Sequence, residues 1–247
     1  ASQAGASIVQ FRGPDDQGRI MPDRWGRLVE DVRKHSDILI SFGQAGPPFR
    51  ERKALLELGS GNPDIMAVSL TNHDFHWGPD RPQTDVYYNH SRAELHDYAL
   101  ALRAAKVKPA WEVWHAGGVW TLNYLVECGL IAGPHLLTLI FGAPGSTWSP
   151  ATLQEVGHRI DLLPTDSRYL VGTLGCGPQL QLPLLTFSVI KGGHVRLGGQ
   201  DTPYYLDGVP AKSNAQLVER IVRISRELGR EIATPDDTRR MLGMTTP

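Results

Sequence analysis

Only two cysteines, Cys128 and Cys176, occur in the 247 residues, and neither has a neighbouring cysteine with which to form a metal or redox pair. An excess of one charge is also missing. Lys and Arg number 25 against 26 Asp and Glu, a net charge of −1, so no global field draws the chain to nucleic acid or an anionic membrane. Apolar runs are broken by charge or proline well before the roughly 20 residues that a membrane span requires. The amino end lacks the basic-then-apolar order of a secretory signal. Together these absences point to a reducing cytoplasm, with no membrane or nucleic-acid partner. No Ser/Gly-rich linker or low-complexity segment divides the chain, which reads as a single domain over residues 1–247.

What the sequence does contain is alternation. Short β-branched runs, "ASIVQFRG", "DILISFG", "IMAVSLTN", "KPAWEVWH", "LLTLIFG", "RYLVGTLG" and "GHVRLGG", are separated by segments with apolar residues at helical spacing. Among the latter are Pro22 to His35, "SRAELHDYALALRAAK", "SPATLQEVGHRIDLL" and "NAQLVERIVRISRELG". Ser91 with Glu94 suggests a capping box, Ser149 with Pro150 a second helix start, and Gly229 a helix stop. Strand-then-helix order implies parallel strands with helical crossovers, and the expected fold is a (β/α)8 TIM-type barrel. The alternative, a doubly wound open sheet, would want a glycine-rich phosphate turn, and no G-x-G-x-x-G follows any strand. Seven strands fall short of eight, and Ala1 to Gly5 reads as the end of a helix, so a first strand is expected ahead of residue 1.

The strand ends carry polar residues on otherwise apolar runs: Gln10 and Arg12, Ser69 and Asn72, Glu112 and His115, then Arg196, Gln200 and Asp201. Burying such groups without partners costs several kcal/mol each, on the order of 2–7 for a neutral one, which favours a shared pocket at the C-terminal mouth of the barrel. Gln10 and Arg12 are two apart and point to one side of their strand. His73 and His76, with His90 further on, offer a weaker candidate metal site in what reads as a loop before Gly78-Pro79. His35 and His158 fall on helix surfaces.

The stretches "AGASIV" with "PDDQGR", "KPAWEVWHAGGV", "GLIAGPHLLTLIFGAPG", "GGHVRLGGQD" and "SNAQLVERIVRISRELGREIATPDDTRRMLG" follow one another along nearly the whole chain. In them the sequence resembles the β-keto acid cleavage enzymes, the family that includes 3-keto-5-aminohexanoate cleavage enzyme. The resemblance implies a (β/α)8 barrel that transfers an acyl fragment between a β-keto acid and acetyl-CoA as co-substrate, releasing acetoacetate and a new CoA thioester. It also implies a zinc held by a His-x-His pair on the second strand and a glutamate in a V-R-x-G-x-E-D motif on the last. Here Gln10 and Arg12 occupy the His-x-His positions and Gln200 the glutamate position, so no zinc is expected there. Arg196 and Asp201 match the motif's arginine and second acid, implicated in forming or stabilising an enolate. His115 stands where the family usually has aspartate, and Ser69 and Asn89 lie in segments matching substrate-contacting loops.

The resulting expectation names Arg12, Arg196 and Asp201 as catalytic, with Gln10, Ser69, Asn89, Glu112, His115 and Gln200 around the substrate. Arg12 would put a fixed positive charge where the metal was and bind a carboxylate, with a homo-oligomer as the assembly. The alternative is a catalytically silent barrel that binds a small carboxylate or serves as a subunit, with Arg12 bridging Asp15 or Asp201.

Overall fold

The computed structural model describes residues 1–12, 20–75, 86–142 and 146–244. In chain order the elements begin with β1 (Ile8–Phe11), α1 (Pro22–His35), β2 (Leu39–Phe42), α2 (Phe49–Arg52) and β3 (Ile65–Ser69). A small antiparallel pair, β4 (His73–Phe75) and β5 (Val86–Tyr88), leads to α3 (Arg92–Ala104), β6 (Lys108–Val113), α4 (Gly117–Glu127) and β7 (His135–Gly142). Then come α5 (Leu153–Asp161), β8 (Ser167–Leu174), α6 (Pro178–Ile190) and β9 (His194–Val195). A second antiparallel pair, β10 (Tyr204–Leu206) and β11 (Val209–Pro210), precedes α7 (Asn214–Glu227) and α8 (Pro235–Met241).

The seven strands expected from the sequence are those of the main sheet. Its order is β1-β2-β3-β6-β7-β8-β9, and every neighbouring pair is parallel. Alternate residues of each strand serve two different cores. Ile40, Phe42, Met66, Val68, Trp111, Val113, Leu137, Leu139 and Val171 face outward and pack under the helices, against Val29, Tyr98, Leu122 and Leu184 among others. Leu39, Ile65, Ala110 and Leu136 face inward, with Ile8 and Leu170 packed beside them, and Leu242, just past α8, closes this inner layer. Helices therefore cover the outer face of a curled sheet, and the fold is a TIM-type barrel rather than a doubly wound open sheet. One rung above the apolar inner layer five inward positions are polar, Gln10, Ser41, Glu112, Thr138 and Arg196, while β3 and β8 present the small Ala67 and Gly172.

Helix starts follow capping chemistry with two corrections. Ser91 accepts from the Glu94 amide as expected, but the Glu94 carboxylate accepts from the Phe49 amide at 2.6 Å and pairs with His90, so the box is one-sided. Helix α5 starts three residues later than Ser149 suggested, because the Thr152 hydroxyl accepts from the Glu155 amide while Ser149 lies buried outside the helix. Thr152→Ala should therefore cost about 1 kcal/mol as a lost cap, read as a lower urea midpoint; no such capping loss is expected of Ser149→Ala. The segment read as a loop around His73 is in part strand β4, and His76 lies outside the described residues.

Candidate active site

The site is organised by Arg196. Strand β9 ends at Val195, but the Arg196 amide still donates to the Val171 carbonyl at 2.9 Å, which keeps its side chain in phase with the barrel interior. On the neighbouring strand Gly172 leaves room for it: a Cβ at Gly172 would lie 3.4 Å from the Arg196 stem. From there Arg196 Nη2 donates to Asp201 Oδ1 at 3.0 Å, and Nη1 lies 3.6 Å from Glu112 Oε1. Asp201 is held by a turn in which its amide and that of Thr202 both donate to the Gly198 carbonyl, while the Gly199 amide donates to Asn214 Oδ1.

Both carboxylates are buried, Glu112 at 4% and Asp201 at 5% exposure, so neither is stabilised by bulk water. Burial raises both pKa values; Arg196 opposes it most strongly, followed by Arg12 in each case and by Arg52 for Glu112. Burial works to lower Arg196 as well, and the two carboxylates more than offset it, so this guanidinium stays charged. Arg12 keeps solvent access at the end of β1. The protein around it nevertheless lowers its pKa, Arg196 adds to that, and Glu112, Asp201 and Tyr88 pull the other way. Arg12 thus shares an electrostatic neighbourhood with all three, yet among the described residues no carboxylate lies within 4.0 Å of it. Asp201 pairs with Arg196 instead, and Asp15 is outside the described residues.

The remaining expected residues divide between mouth and wall. Gln10 lies across the end of β2, its amide so close that a Cβ at Gly43 would fall 2.5 Å from Nε2. Gln200 is exposed on the turn before Asp201, and Asn89 is exposed just after β5. His115 Nε2 sits 3.3 Å from the Asn72 carbonyl. Ser69 is fully buried; its hydroxyl donates to the Thr71 carbonyl at 2.8 Å and lies 3.1 Å from His73 Nδ1. The His73 ring stacks on Trp114 at 4.1 Å, and burial brings its pKa down to about 4, leaving it neutral near pH 7. His90 is bound to the Ala45 carbonyl and to Glu94. A cavity of about 800 Å³ runs between β1 and β9 and is lined by Gln10, Ser41, Thr138, Arg196, Gln200 and Asp201, with Ile8, Leu136 and Leu170 below.

Two contributors lie outside the set expected from the sequence. Arg52 is completely buried, donates to Tyr98 and to the Ala67 carbonyl, and sits near the Phe42 and Tyr98 rings, from where its charge reaches Glu112. Its only signal is an arginine close to Leu55 and Leu56 on a helical turn, which reads as surface until the ring neighbours are known. Tyr88, half-buried on β5, is the other; its phenol is raised by burial and pulled down by Arg12.

This donor set does not suit zinc. Gln10 and Gln200 offer neutral amides, Arg12 a permanent cation, and Glu112 and Asp201 are both committed to Arg196. Among the described residues no group of three His, Cys, Asp or Glu is arranged to hold a metal. What the arrangement offers is proton transfer at a buried carboxylate beside guanidinium groups that stabilise developing negative charge.

Comparison with known proteins shows the family to which the chain belongs. The family model described as beta-keto acid cleavage enzyme matches residues 1–244. A 3-keto-5-aminohexanoate cleavage enzyme of Acetoanaerobium sticklandii is 36% identical over 248 residues, 99% of this chain and 86% of that protein. A 3-oxoadipate:acetyl-CoA acetyltransferase of Cupriavidus necator is 27% identical over 253 residues, covering 99% of this chain and 83% of the relative. Among solved structures, apo ObcA superposes with a TM-score of 0.79 at 16% identity over 99% of this chain, which spans 63% of the ObcA chain and shares its fold.

Proposed function

Because the chain belongs to the β-keto acid cleavage enzyme family, we propose that it transfers the acyl group of a β-keto acid to CoA, consuming acetyl-CoA and releasing acetoacetate. Asp201 is the base. Its carboxylate accepts the proton between the two carbonyl carbons of the substrate, and the electron pair moves onto the keto oxygen, where Arg12 offers positive charge. The carbanion attacks the thioester carbonyl of acetyl-CoA and expels the CoA thiolate. The thiolate then attacks the original keto carbon, the carbon–carbon bond breaks, and the acetoacetate carbanion recovers the proton from Asp201. Arg196 keeps Asp201 oriented, and Glu112 holds Arg196 from the other side. The single observation that supports this reading is the buried Glu112–Arg196–Asp201 group, whose Arg196 and Asp201 line one cavity.

A silent, carboxylate-binding barrel is the second reading, favoured by Gln10, Arg12 and Gln200 at the three zinc-ligand positions. Incubating the purified protein with acetyl-CoA and a panel of β-keto acids, including 3-oxoadipate and 3-keto-5-aminohexanoate, separates the two. Acetoacetate formed above the uncatalysed rate is the expected result. Binding of the acids without turnover of any of them would favour the silent barrel. We place the protein in the cytoplasm as a homo-oligomer; no helix among the described residues is long and apolar enough to cross a membrane.

A further inference from the structure

We infer that this site works without the family's zinc, and that the Arg12 guanidinium takes the place of the metal by gripping the carboxylate and the keto oxygen of the substrate together. The identity of the ligand rests on the function proposed above; the replacement itself rests on three observations.

The first is the donor set. A zinc at the barrel mouth would meet two amides and a guanidinium, and both nearby carboxylates already neutralise Arg196. Among the described residues, three candidate histidines are engaged elsewhere: His73 beside Ser69 and Thr71, His90 between Ala45 and Glu94, His115 at Asn72.

The second is charge. Arg12, Arg52 and Arg196 act on Glu112, and Arg12 and Arg196 on Asp201, so among the described residues three cations face two anions and one positive charge remains. A zinc dication would raise that surplus in a largely desolvated group, whereas a monoanionic keto acid would cancel it. Strand ends alone bring Asp201 opposite the two arginines of the mouth; Glu112 is the second acid, and buried Arg52 restores the surplus.

The third is availability. Arg196 is held from both sides, and Arg52 is enclosed by Phe42, Tyr98 and a backbone carbonyl. Arg12 has solvent access and, among the described residues, no carboxylate within ion-pair distance. Its planar fork of parallel N–H donors suits two oxygens in one plane, the disposition a β-keto acid presents when carboxylate and carbonyl lie on the same side. The contact persists as the carbonyl becomes an enolate, so the positive charge strengthens its hold where negative charge develops.

The test combines metal analysis with calorimetry, using acetoacetate as the probe. Parent protein dialysed against zinc and then buffer should retain only substoichiometric metal, and its affinity for acetoacetate should not change on adding a chelator. Arg12→Ala should weaken acetoacetate by more than about tenfold, and Arg12→Lys should recover part of that loss. The triple variant Gln10→His, Arg12→His, Gln200→Glu should acquire a stoichiometric zinc that the parent lacks. One zinc per parent chain, chelator-sensitive binding, undiminished affinity in Arg12→Ala or a triple variant that gains no zinc would each overturn the inference. If Arg12→Ala does not fold, the metal and chelator measurements on the parent decide alone. Zinc-free acetoacetate binding through Arg12 without turnover would remove the acyl-transfer reading and leave this one, and turnover that needs added zinc would do the reverse.

Discussion

Asp201→Asn is expected to lower the rate of acetoacetate formation by about 10²- to 10⁴-fold, the span associated with losing a positioned general base. The substitution keeps the shape of the side chain and an oxygen 3.0 Å from Arg196 Nη2, so the turn from Gly198 to Thr202 has no reason to rearrange. What disappears is the ability to take the α-proton. Binding of the keto acid should change little, because its carboxylate is met by Arg12, and the loss should therefore appear in kcat rather than in KM. Solvent-exchange labelling gives an independent readout: deuterium entering the α-position of a bound keto acid without acetyl-CoA reports proton abstraction alone. An Asp201→Asn protein that exchanges this proton as fast as the parent would transfer the role of base to Glu112.

Removing the cation at the centre should affect folding more than any other single change at the site. Arg196→Met retains the aliphatic stem that crosses Gly172 but leaves Glu112 and Asp201 buried without their partner, a loss of about 3–5 kcal/mol at neutral pH. Acidification should return part of it. Both carboxylates are raised in the folded protein, so each contributes stability that is fully present below the ordinary carboxylate pKa, near about 4, and is lost as pH rises through its raised value. Without Arg196 both pKa values are raised further, since the attraction that opposes burial is gone. Urea unfolding at neutral pH and again near about pH 5 should show the variant closing on the parent as pH falls. A gap that stays constant with pH would mean that the substituted side chain fails through packing rather than through the two carboxylates.

The main sheet was legible because its strands read as short, largely apolar runs, several of them bounded by glycine, as in Leu136 to Gly142. Helices α1, α3, α5 and α7 were legible through their polar outer faces. Helices α4 and α6 were not: "GGVWTLNYLVE" has one charged residue and "PQLQLPLLTFSVI" has none, and α6 contains Pro183, so neither shows the periodic contrast that marks an amphipathic helix. Antiparallel pairs such as β4 with β5 are too short to rise above turn signals.

At the site, strand parity was enough to bring Gln10, Arg12, Glu112 and Arg196 to one interior. Parity could not say who pairs with whom. That Glu112 on β6 would meet Arg196, across the intervening β7 and β8, depends on barrel curvature, and that Ser69 would turn to Thr71 and His73 depends on a local bend after β3. Burial of Arg52 depended on rings contributed by Phe42 and Tyr98, which lie on different elements.

Strand β9 is only two residues long, and so short a ladder specifies its own alignment weakly. Slipping β9 by one residue along β8 would send Arg196 to the apolar outer layer and leave Glu112 and Asp201 facing each other inside. Such an alignment is worse by several kcal/mol, on the order of the cost of breaking a buried ion pair. The same three side chains that are proposed to move the proton therefore also act as a check on register: only the chain alignment that builds the site lets the last strand of the sheet settle.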